Sequence, residues 1–252
     1  MIFLLRVISR LTALTCIFLS LSIAAQEEQR QLYFDVDSVG GWVPILTAAE
    51  PGNPGIMTEI TQAMERHLGI EFIPIKLPQK RAEIALKEGF VDIDFICLEW
   101  LKTSEVGSEY VISEPFFELK ESFISLKKNV SLFPTRESLH NQHVGTIAGY
   151  FYFDEHTFTR TDFLDENHLI LGLKHGRFDV VILEQETAKH WAKVNDVDIN
   201  FAVLHSKGNF LMRLRKKHQD FLPMINKAIK QIKASGELQA ILDKHNTEIN
   251  IF

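Results

Sequence analysis

The sequence is poor in cysteine, with only Cys16 and Cys97 among 252 residues. Cys16 lies in an N-terminal apolar stretch that we expect to be removed, which leaves Cys97 without a partner for an internal disulfide. Cys97 falls within the apolar run of residues 93–98, and the sequence identifies no neighbouring base. We therefore interpret Cys97 as a small buried hydrophobic residue and not as a catalytic thiol.

The chain also lacks an excess of basic residues. It has 27 Lys and Arg residues against 33 Asp and Glu residues, which gives a formal net charge of −6. Proteins that bind nucleic acid usually carry a basic patch or stripe, so we expect no nucleic-acid partner. Hydrophobic residues make up 46% of the chain, enough for one large core or two smaller ones.

Signatures of metal sites and of common catalytic sites are missing as well. The ten histidines form no H-E-x-x-H motif, and His140 and His143 lie three apart in a predicted loop, which is a weak ligand spacing. There is no C-x-x-C motif, no G-x-S-x-G elbow and no phosphate-binding glycine loop. We expect no metal, no cofactor and no catalytic activity.

The first 25 residues differ in composition from the rest. Arg6 and Arg10 precede an apolar stretch, residues 11–23, which is shorter than the ~20 residues that a spanning helix needs. Ala24 and Ala25 then lead into polar residues, as at the cleavage site of a secretory signal. We predict a signal peptide over residues 1–25, cleaved after Ala24 or Ala25, with an uncleaved anchor as the alternative. The mature chain would be periplasmic, with a net charge of −6 − 2 = −8.

The mature chain alternates strand-like and helix-like segments. Residues 55–68, for example, have apolar side chains at helical spacing, and Gly69 suits the position after a helix end. This alternation is typical of α/β folds with a mainly parallel sheet. We predict strands at residues 32–36, 70–77, 91–98, 121–128, 143–147, 178–183, 201–205 and 210–214. We predict helices at residues 55–68, 79–88, 166–175, 185–193, 219–234 and 237–245.

The order of these segments predicts two lobes. The joins near residues 122–128 and 201–205 are strand-like, and two antiparallel strands crossing between lobes would form a stiff hinge. We predict that residues 26–122 plus 206–252 form lobe 1 and that residues 123–205 form lobe 2, each with a central, mainly parallel sheet. Ligands of open α/β sheets bind beyond the carboxyl ends of the strands, so the facing loops should line a cleft.

Six motifs in a consistent order resemble those of one known family. The first three are a glycine turn into the first helix (residues 52–60), a helix followed by a G-x-x-D strand (86–94) and I-S-E-P-F (112–116). The other three are V-G-T-I-A-G (144–149), a segment containing G-R-F-D-V-V (173–181) and the two closing helices (221–237). Together they resemble the family 3 extracellular (periplasmic) solute-binding proteins, best known from amino-acid ABC importers, over residues 32–246.

The resemblance implies a type II periplasmic-binding-protein-like fold and a monomer that captures a small polar, amino-acid-like ligand. It also implies an ABC-transporter permease as a partner. The sequence departs from the family at Val106, where the family commonly has an arginine that clamps a ligand carboxylate. Glu184 stands where the family often has an acidic residue for the ligand amine.

Candidate ligand-binding residues follow the predicted strands. Arg81, at the start of a helix, is either a substitute anion clamp for the absent arginine or a solvated helix residue. Trp42, in the loop after the first strand, is either an apolar and cation–π wall of the cleft or a packing residue. Glu184 is either a ligand contact or a helix cap. Glu99 follows a buried strand and is a weaker candidate.

Gly149 and Tyr150 follow the first strand of lobe 2. Backbone N–H groups at a following helix start would suit an anion there, and an ordinary strand-to-helix turn is the alternative. Two other functions remain open. One is a dehydratase-like cleft enzyme using a carboxylate at Glu184, Glu59 or Glu99. The other is a ligand-sensing module. The sequence ends soon after the last predicted helix, which we take as an argument against this second function.

Overall fold

A computed structural model of the protein describes residues 30–37, 41–47 and 54–252. The predicted signal peptide and its cleavage site lie outside the described residues. Residues Leu32–Phe252 form one compact unit. Among the described residues, no helix combines the length and the apolar character that crossing a membrane requires.

The described chain alternates strands and helices, as the sequence pattern predicts. The strands are β1 (Arg30–Asp37), β2 (Ile70–Leu77), β3 (Ile93–Cys97), β4 (Tyr110–Ile112), β5 (Phe117–Leu126), β6 (His143–Ile147), β7 (Thr159–Phe163), β8 (Val180–Glu184) and β9 (Ile199–Arg215). The helices are α1 (Ile56–Leu68), α2 (Gln79–Glu88), α3 (Glu166–Lys174), α4 (Gln185–Val194), α5 (Leu222–Ala234) and α6 (Glu237–Lys244). Gly69 follows α1 and Gly89 follows α2. Both glycines have the left-handed conformation with positive φ that commonly ends a helix.

The strands form one sheet in the order β2-β1-β3-β9-β5-β8-β6-β7, with β4 paired to β9. The β1–β3, β6–β7 and β6–β8 pairs are parallel. The β3–β9, β4–β9, β5–β8 and β5–β9 pairs are antiparallel. Parallel pairs therefore lie on either side of the sheet centre, and every one of these antiparallel pairs includes β5 or β9. The sheet as a whole is mixed, because these two strands run against their neighbours.

The two strands predicted at residues 201–205 and 210–214 are one strand, β9. It runs for 17 residues and pairs antiparallel with β5 from Phe117 opposite Phe210 to Leu126 opposite Ile199. The polar middle of β9, residues 206–209, resembles a break in the sequence pattern but continues the ladder. The register shifts twice, so that His205 and Ala202 each lie between paired residues. Such bulges bend a strand and raise its local twist.

The buried side chains form separate cores on either side of the β5–β9 ladder. The largest core takes its buried members from residues 32–119 and 210–249. Two further cores take theirs from residues 123–188. This division follows the same order along the chain as the two predicted lobes, whose boundaries stay a prediction.

Two short strands escape the sequence pattern, namely β4 and β7. Residues 159–163 are mostly polar and only partly covered, so β7 shows little hydrophobic alternation. The next helix after Gly149 is α3, and a 3-10 turn, Glu155–Thr157, and β7 lie between them.

Candidate functional site

A cavity of about 310 Å³ lies against the centre of the sheet. This is within the usual range for small-molecule sites. Residues of the predicted lobe 1 line one part of it, and residues of the predicted lobe 2 line the other. The first set is Asp35, Trp42, Leu46, Ala82, Glu83, Asp94, Phe95, Ile96, Trp100, Leu101, Lys102, Glu121 and Arg213, and the second is Gly149, Tyr150, Phe151, Glu166, Leu183 and Glu184.

Two tryptophans supply an aromatic wall. Trp42 lies in the segment after β1, and Trp100 ends the 3-10 turn that follows β3. Their ring centroids are 5.9 Å apart, and the ring of Trp42 meets Phe210 edge-on at 5.6 Å. The indole Nε1–H of Trp100 donates to Ser206 Oγ at 3.3 Å. This packing fixes both indoles at the cavity wall.

Glu184 lies where β8 passes into α4, and its carboxylate caps that helix. One oxygen accepts from Glu186 N–H and the other from Thr187 N–H, each at 2.9 Å. Burial raises the pKa of Glu184 to about 7, although these two hydrogen bonds act to lower it. The sequence left two interpretations of Glu184, a helix cap and a ligand contact. In the structure Glu184 caps a helix and also lines the cavity.

Gly149 and Tyr150 line the cavity at the carboxyl end of β6. Gly149 has a φ of 97°, which turns the chain sharply. The Tyr150 hydroxyl donates to Glu166 Oε1 at 2.9 Å, and Glu166 is buried in the first turn of α3. The two residues therefore position an acidic group at the wall, and the next helix start, that of α3, presents the acidic residue Glu166 to the cavity.

Arg81 and Glu99 do not line the cavity. Arg81 is exposed near the start of α2, and its neighbours Ala82 and Glu83 face the cavity instead. Glu99 is an exposed residue after β3. Its Oε2 lies against Gly208, and a Cβ atom added to Gly208 would lie 2.1 Å from that oxygen. Of the six sequence-predicted site residues, the structure brings Trp42, Gly149, Tyr150 and Glu184 together.

The cavity wall contains an ion pair between two residues that the sequence analysis did not predict as site residues. Asp94 in β3 faces Arg213 in β9 across the sheet. Arg213 Nε donates to Asp94 Oδ1 at 2.9 Å and Nη2 to Oδ2 at 2.5 Å. The signal in the sequence is a single charged residue inside each of two apolar runs, residues 93–97 and 210–214, because such residues are seldom buried without a partner.

A second buried charged cluster lies at the β5–β9 crossing. His205 Nδ1 is 2.7 Å from Glu121 Oε2, and Nε2 is 2.8 Å from Asp154 Oδ1. Arg136 donates to Asp154 at 2.6 Å and to the carbonyl of His205 at 2.7 Å. Burial lowers the pKa of His205, but the hydrogen bonds with Asp154 and Glu121 outweigh that effect and raise it.

Other candidate groups are accounted for by packing. Cys97 is fully buried in the largest core, as predicted, and burial raises the pKa of its thiol far above the ordinary value. Glu59 on α1 accepts from Lys244 and His245, each at 2.9 Å, away from the cavity. Within the described ranges, no three His, Cys, Asp or Glu side chains are arranged to hold a metal ion.

Comparisons with known proteins agree on one class, the solute-binding proteins. The family model of bacterial extracellular solute-binding proteins, family 3, matches residues 40–248. A probable histidine-binding protein of Campylobacter jejuni is 23% identical over 231 residues, which cover 89% of each chain.

Solved structures resemble the chain along most of its length. The amino acid ABC transporter substrate-binding protein AbpA of Streptococcus pneumoniae, bound to L-arginine, matches with a TM-score of 0.72 at 18% identity, covering 88% of this chain and 97% of that one. The ancestral amino acid-binding protein AncCDT-1, a precursor of cyclohexadienyl dehydratase, matches with a TM-score of 0.69 at 16% identity, covering 88% and 98%. These likenesses confirm the predicted α/β, type II periplasmic-binding-protein-like fold.

Proposed function

The chain belongs to the bacterial extracellular solute-binding proteins of family 3, and we propose that it captures a small polar, amino-acid-like ligand in the cavity for an ABC importer. One observation carries this proposal. The cavity of about 310 Å³ is lined from both sides of the β5–β9 crossing, by Trp42 and Asp94 on one side and by Tyr150 and Glu184 on the other. A ligand held there contacts both predicted lobes at once.

Capture works through closure around the ligand. A ligand shifts the balance between open and closed forms only by its differential affinity for them. Contacts that come from both lobes supply that difference, because they are complete only when the lobes meet. The closed form is then the one that a membrane permease would recognise, and the protein acts as a monomer.

A thermal-shift screen of the mature protein with amino acids, polyamines and small carboxylates tests capture. A ligand present at 100 times its Kd stabilises the folded state by about 2.7 kcal/mol, so a true ligand produces a clear rise in Tm. Trp42→Ala should reduce that ligand-induced rise, because it removes the aromatic wall. Phe90→Ala is the matched control, since Phe90 is 72% exposed and does not line the cavity. Equal rises in both variants, or no rise with any compound, would count against capture at this site.

A dehydratase-like reaction is the second candidate. The pKa of Glu184 near 7 suits a general acid or base. We favour binding without catalysis, because both Glu184 oxygens accept backbone N–H groups of α4. Incubating each thermal-shift hit with the protein and following the compound by NMR separates the two. Consumption of the compound with turnover would favour the enzyme.

Family members are extracellular, and we propose export of this chain to the periplasm through residues 1–25. N-terminal sequencing of the exported protein should find a start at Ala25 or Gln26. A start at Met1 in a membrane fraction would instead support an uncleaved anchor.

A further inference from the structure

Acidic side chains dominate the charge of the cavity. Among the described residues that line it, the carboxylates outnumber the cations six to two, so the cavity favours positive charge. The carboxylates are Asp35, Glu83, Asp94, Glu121, Glu166 and Glu184, and the cations are Lys102 and Arg213.

Arg213 is already committed to Asp94. Its Nε and Nη2 make the two parallel hydrogen bonds to that carboxylate, and the residue is only 8% exposed. Its guanidinium carbon also lies 5.0 Å from the centroid of the Tyr110 ring. The Asp94 carboxylate neutralises the charge of Arg213 and occupies two of its N–H groups, so Arg213 attracts a second carboxylate less than an unpaired arginine would.

Lys102 is an exposed residue at the cavity wall. An exposed ammonium is a flexible point charge, and its pairing with a carboxylate is weakened by water and salt. Residues 38–40 and 48–53, which flank the Trp42 segment, contain no lysine or arginine in the sequence. The described part of the cavity wall thus offers little positive charge to a ligand carboxylate.

The same wall offers much to a ligand cation. Counted together with the carboxylates that pair with His205 and Arg213, the acidic side chains outnumber the cations in the described lining, and Glu83 on α2 is exposed to solvent at the wall. Trp42 and Trp100 add two indole rings, whose faces attract an ammonium or guanidinium group.

We infer that the cavity selects small organic cations, such as diamines and guanidines, by their charged nitrogen groups and gains little from an α-carboxylate. This inference rests on the proposed function of the cavity. It follows that a decarboxylated amine binds at least as tightly as the amino acid from which it derives.

Isothermal titration calorimetry with matched pairs tests the inference on the mature protein. The pairs are arginine and agmatine, ornithine and putrescine, lysine and cadaverine, and histidine and histamine. Each pair differs by one carboxylate, so the ratio of its two Kd values measures what that group contributes. In every pair that binds, we expect the Kd of the amine to equal or lie below that of its parent. A parent that binds more than threefold tighter than its amine overturns the inference.

Other amino acids separate failure of the inference from failure of the proposed function. If glutamine or glutamate binds and no amine does, the cation preference is wrong while capture stands. If no amine and no amino acid of any charge binds, capture itself is wrong, and the inference falls with it.

A matched pair of variants on α2 tests the role of the cavity charge without disturbing the core. Glu83 and Glu88 are both exposed residues of this helix, but only Glu83 lines the cavity. Glu83→Gln should weaken binding of the best amine by roughly two- to fivefold, as expected for one partly solvated charge. Glu88→Gln should leave the Kd unchanged. Identical Kd values for the two variants contradict the proposed role of the acidic wall.

Discussion

His205 lies at the point where β9 departs from regular pairing with β5. Its ring joins Glu121 on β5 to Asp154 in the segment after β6, and both carboxylates are buried. Phe153 stacks on the ring, with centroids 4.7 Å apart. Buried carboxylates need a partner, and the imidazolium supplies one to each of them. This side chain therefore holds the crossing strands to the segment after β6 through charge.

Replacing His205 by glutamine should destabilise the protein by about 3 kcal/mol at pH 5.5, because buried Glu121 loses its cationic partner and Asp154 keeps only Arg136. The pKa of His205 is raised above its ordinary value of 6.5. Its stabilising contribution is therefore complete below about pH 6.5 and is lost as the pH rises through the raised pKa. The difference in unfolding free energy between the parent and His205→Gln should shrink between pH 5.5 and pH 8.5, as measured by urea denaturation.

Glu184 also titrates in this range, since its pKa of about 7 lies above the ordinary 4.5 and its ionisation costs stability as the pH rises. That contribution is common to both proteins and cancels in the difference. His140→Gln, at an exposed histidine, is the control and should change the stability little at any pH. A His205→Gln effect that is constant across the pH range would contradict a charged role for the ring.

Among the elements, α3 packs unusually close to its neighbours through Gly172. A Cβ at this position would lie 2.7 Å from Phe178 Cζ and 3.0 Å from Phe163 Cζ. Gly145 on β6 faces the same Phe178 ring, and a Cβ on Gly145 would lie 2.6 Å from Phe178 Cζ. The two glycines therefore let the helix and the sheet approach around one aromatic side chain.

Gly172→Ala should lower the unfolding free energy by up to about 2 kcal/mol. Alanine favours a helix over glycine by roughly 1 kcal/mol, but overpacking a filled core costs about 1–3 kcal/mol and outweighs that gain. Adding Phe178→Leu makes room for the new methyl group. The double variant should then be more stable than the sum of the two single losses implies, which a double-mutant cycle by urea denaturation measures. Strict additivity would show that Phe178 is not the obstacle.

Helices with glycine stops were predictable from the sequence, because their signals are local. Residues 79–88 form a helix with the predicted bounds, and Gly89 ends it with a φ of 87°. The continuity of β9 was not predictable, since Lys207 and Asn209 interrupt the apolar pattern while pairing across the ladder with Lys120 and Glu118. β7 is equally hidden, because its stability comes from pairing in parallel with β6.

The candidate site shows the same limit at the scale of the whole molecule. Trp42, Tyr150 and Glu184 could be placed near a cleft because each follows a predicted strand. The Asp94–Arg213 pair joins residues 119 positions apart, so its existence depends on which strands are neighbours. The acidic balance of the cavity likewise arises only when several separate segments meet.

Hydrogen bonds outside the crossing strands also link the two predicted lobes, one from Lys189 Nζ to Glu248 Oε2 at 2.6 Å and another from Trp191. The indole Nε1–H of Trp191, on α4, donates to the backbone carbonyl of Gly41 at 2.5 Å, and Gly41 precedes the cavity residue Trp42. We expect this contact to form when the predicted lobes meet and to break when they separate. It would stabilise the ligand-bound form without contacting the ligand.

Trp191→Phe removes this donor and keeps an aromatic ring in place. A net hydrogen bond contributes about 0.5–1.5 kcal/mol, so ligand affinity should fall by roughly two- to tenfold. The loss should appear as faster dissociation, because the closed form opens more readily. Stopped-flow measurement of the dissociation rate, together with the Kd, checks this on the best ligand. Lys193→Gln, an exposed substitution on the same helix, should leave both values unchanged. An unaltered dissociation rate in Trp191→Phe would mean that the Gly41 contact persists in the open form and does not distinguish the two forms.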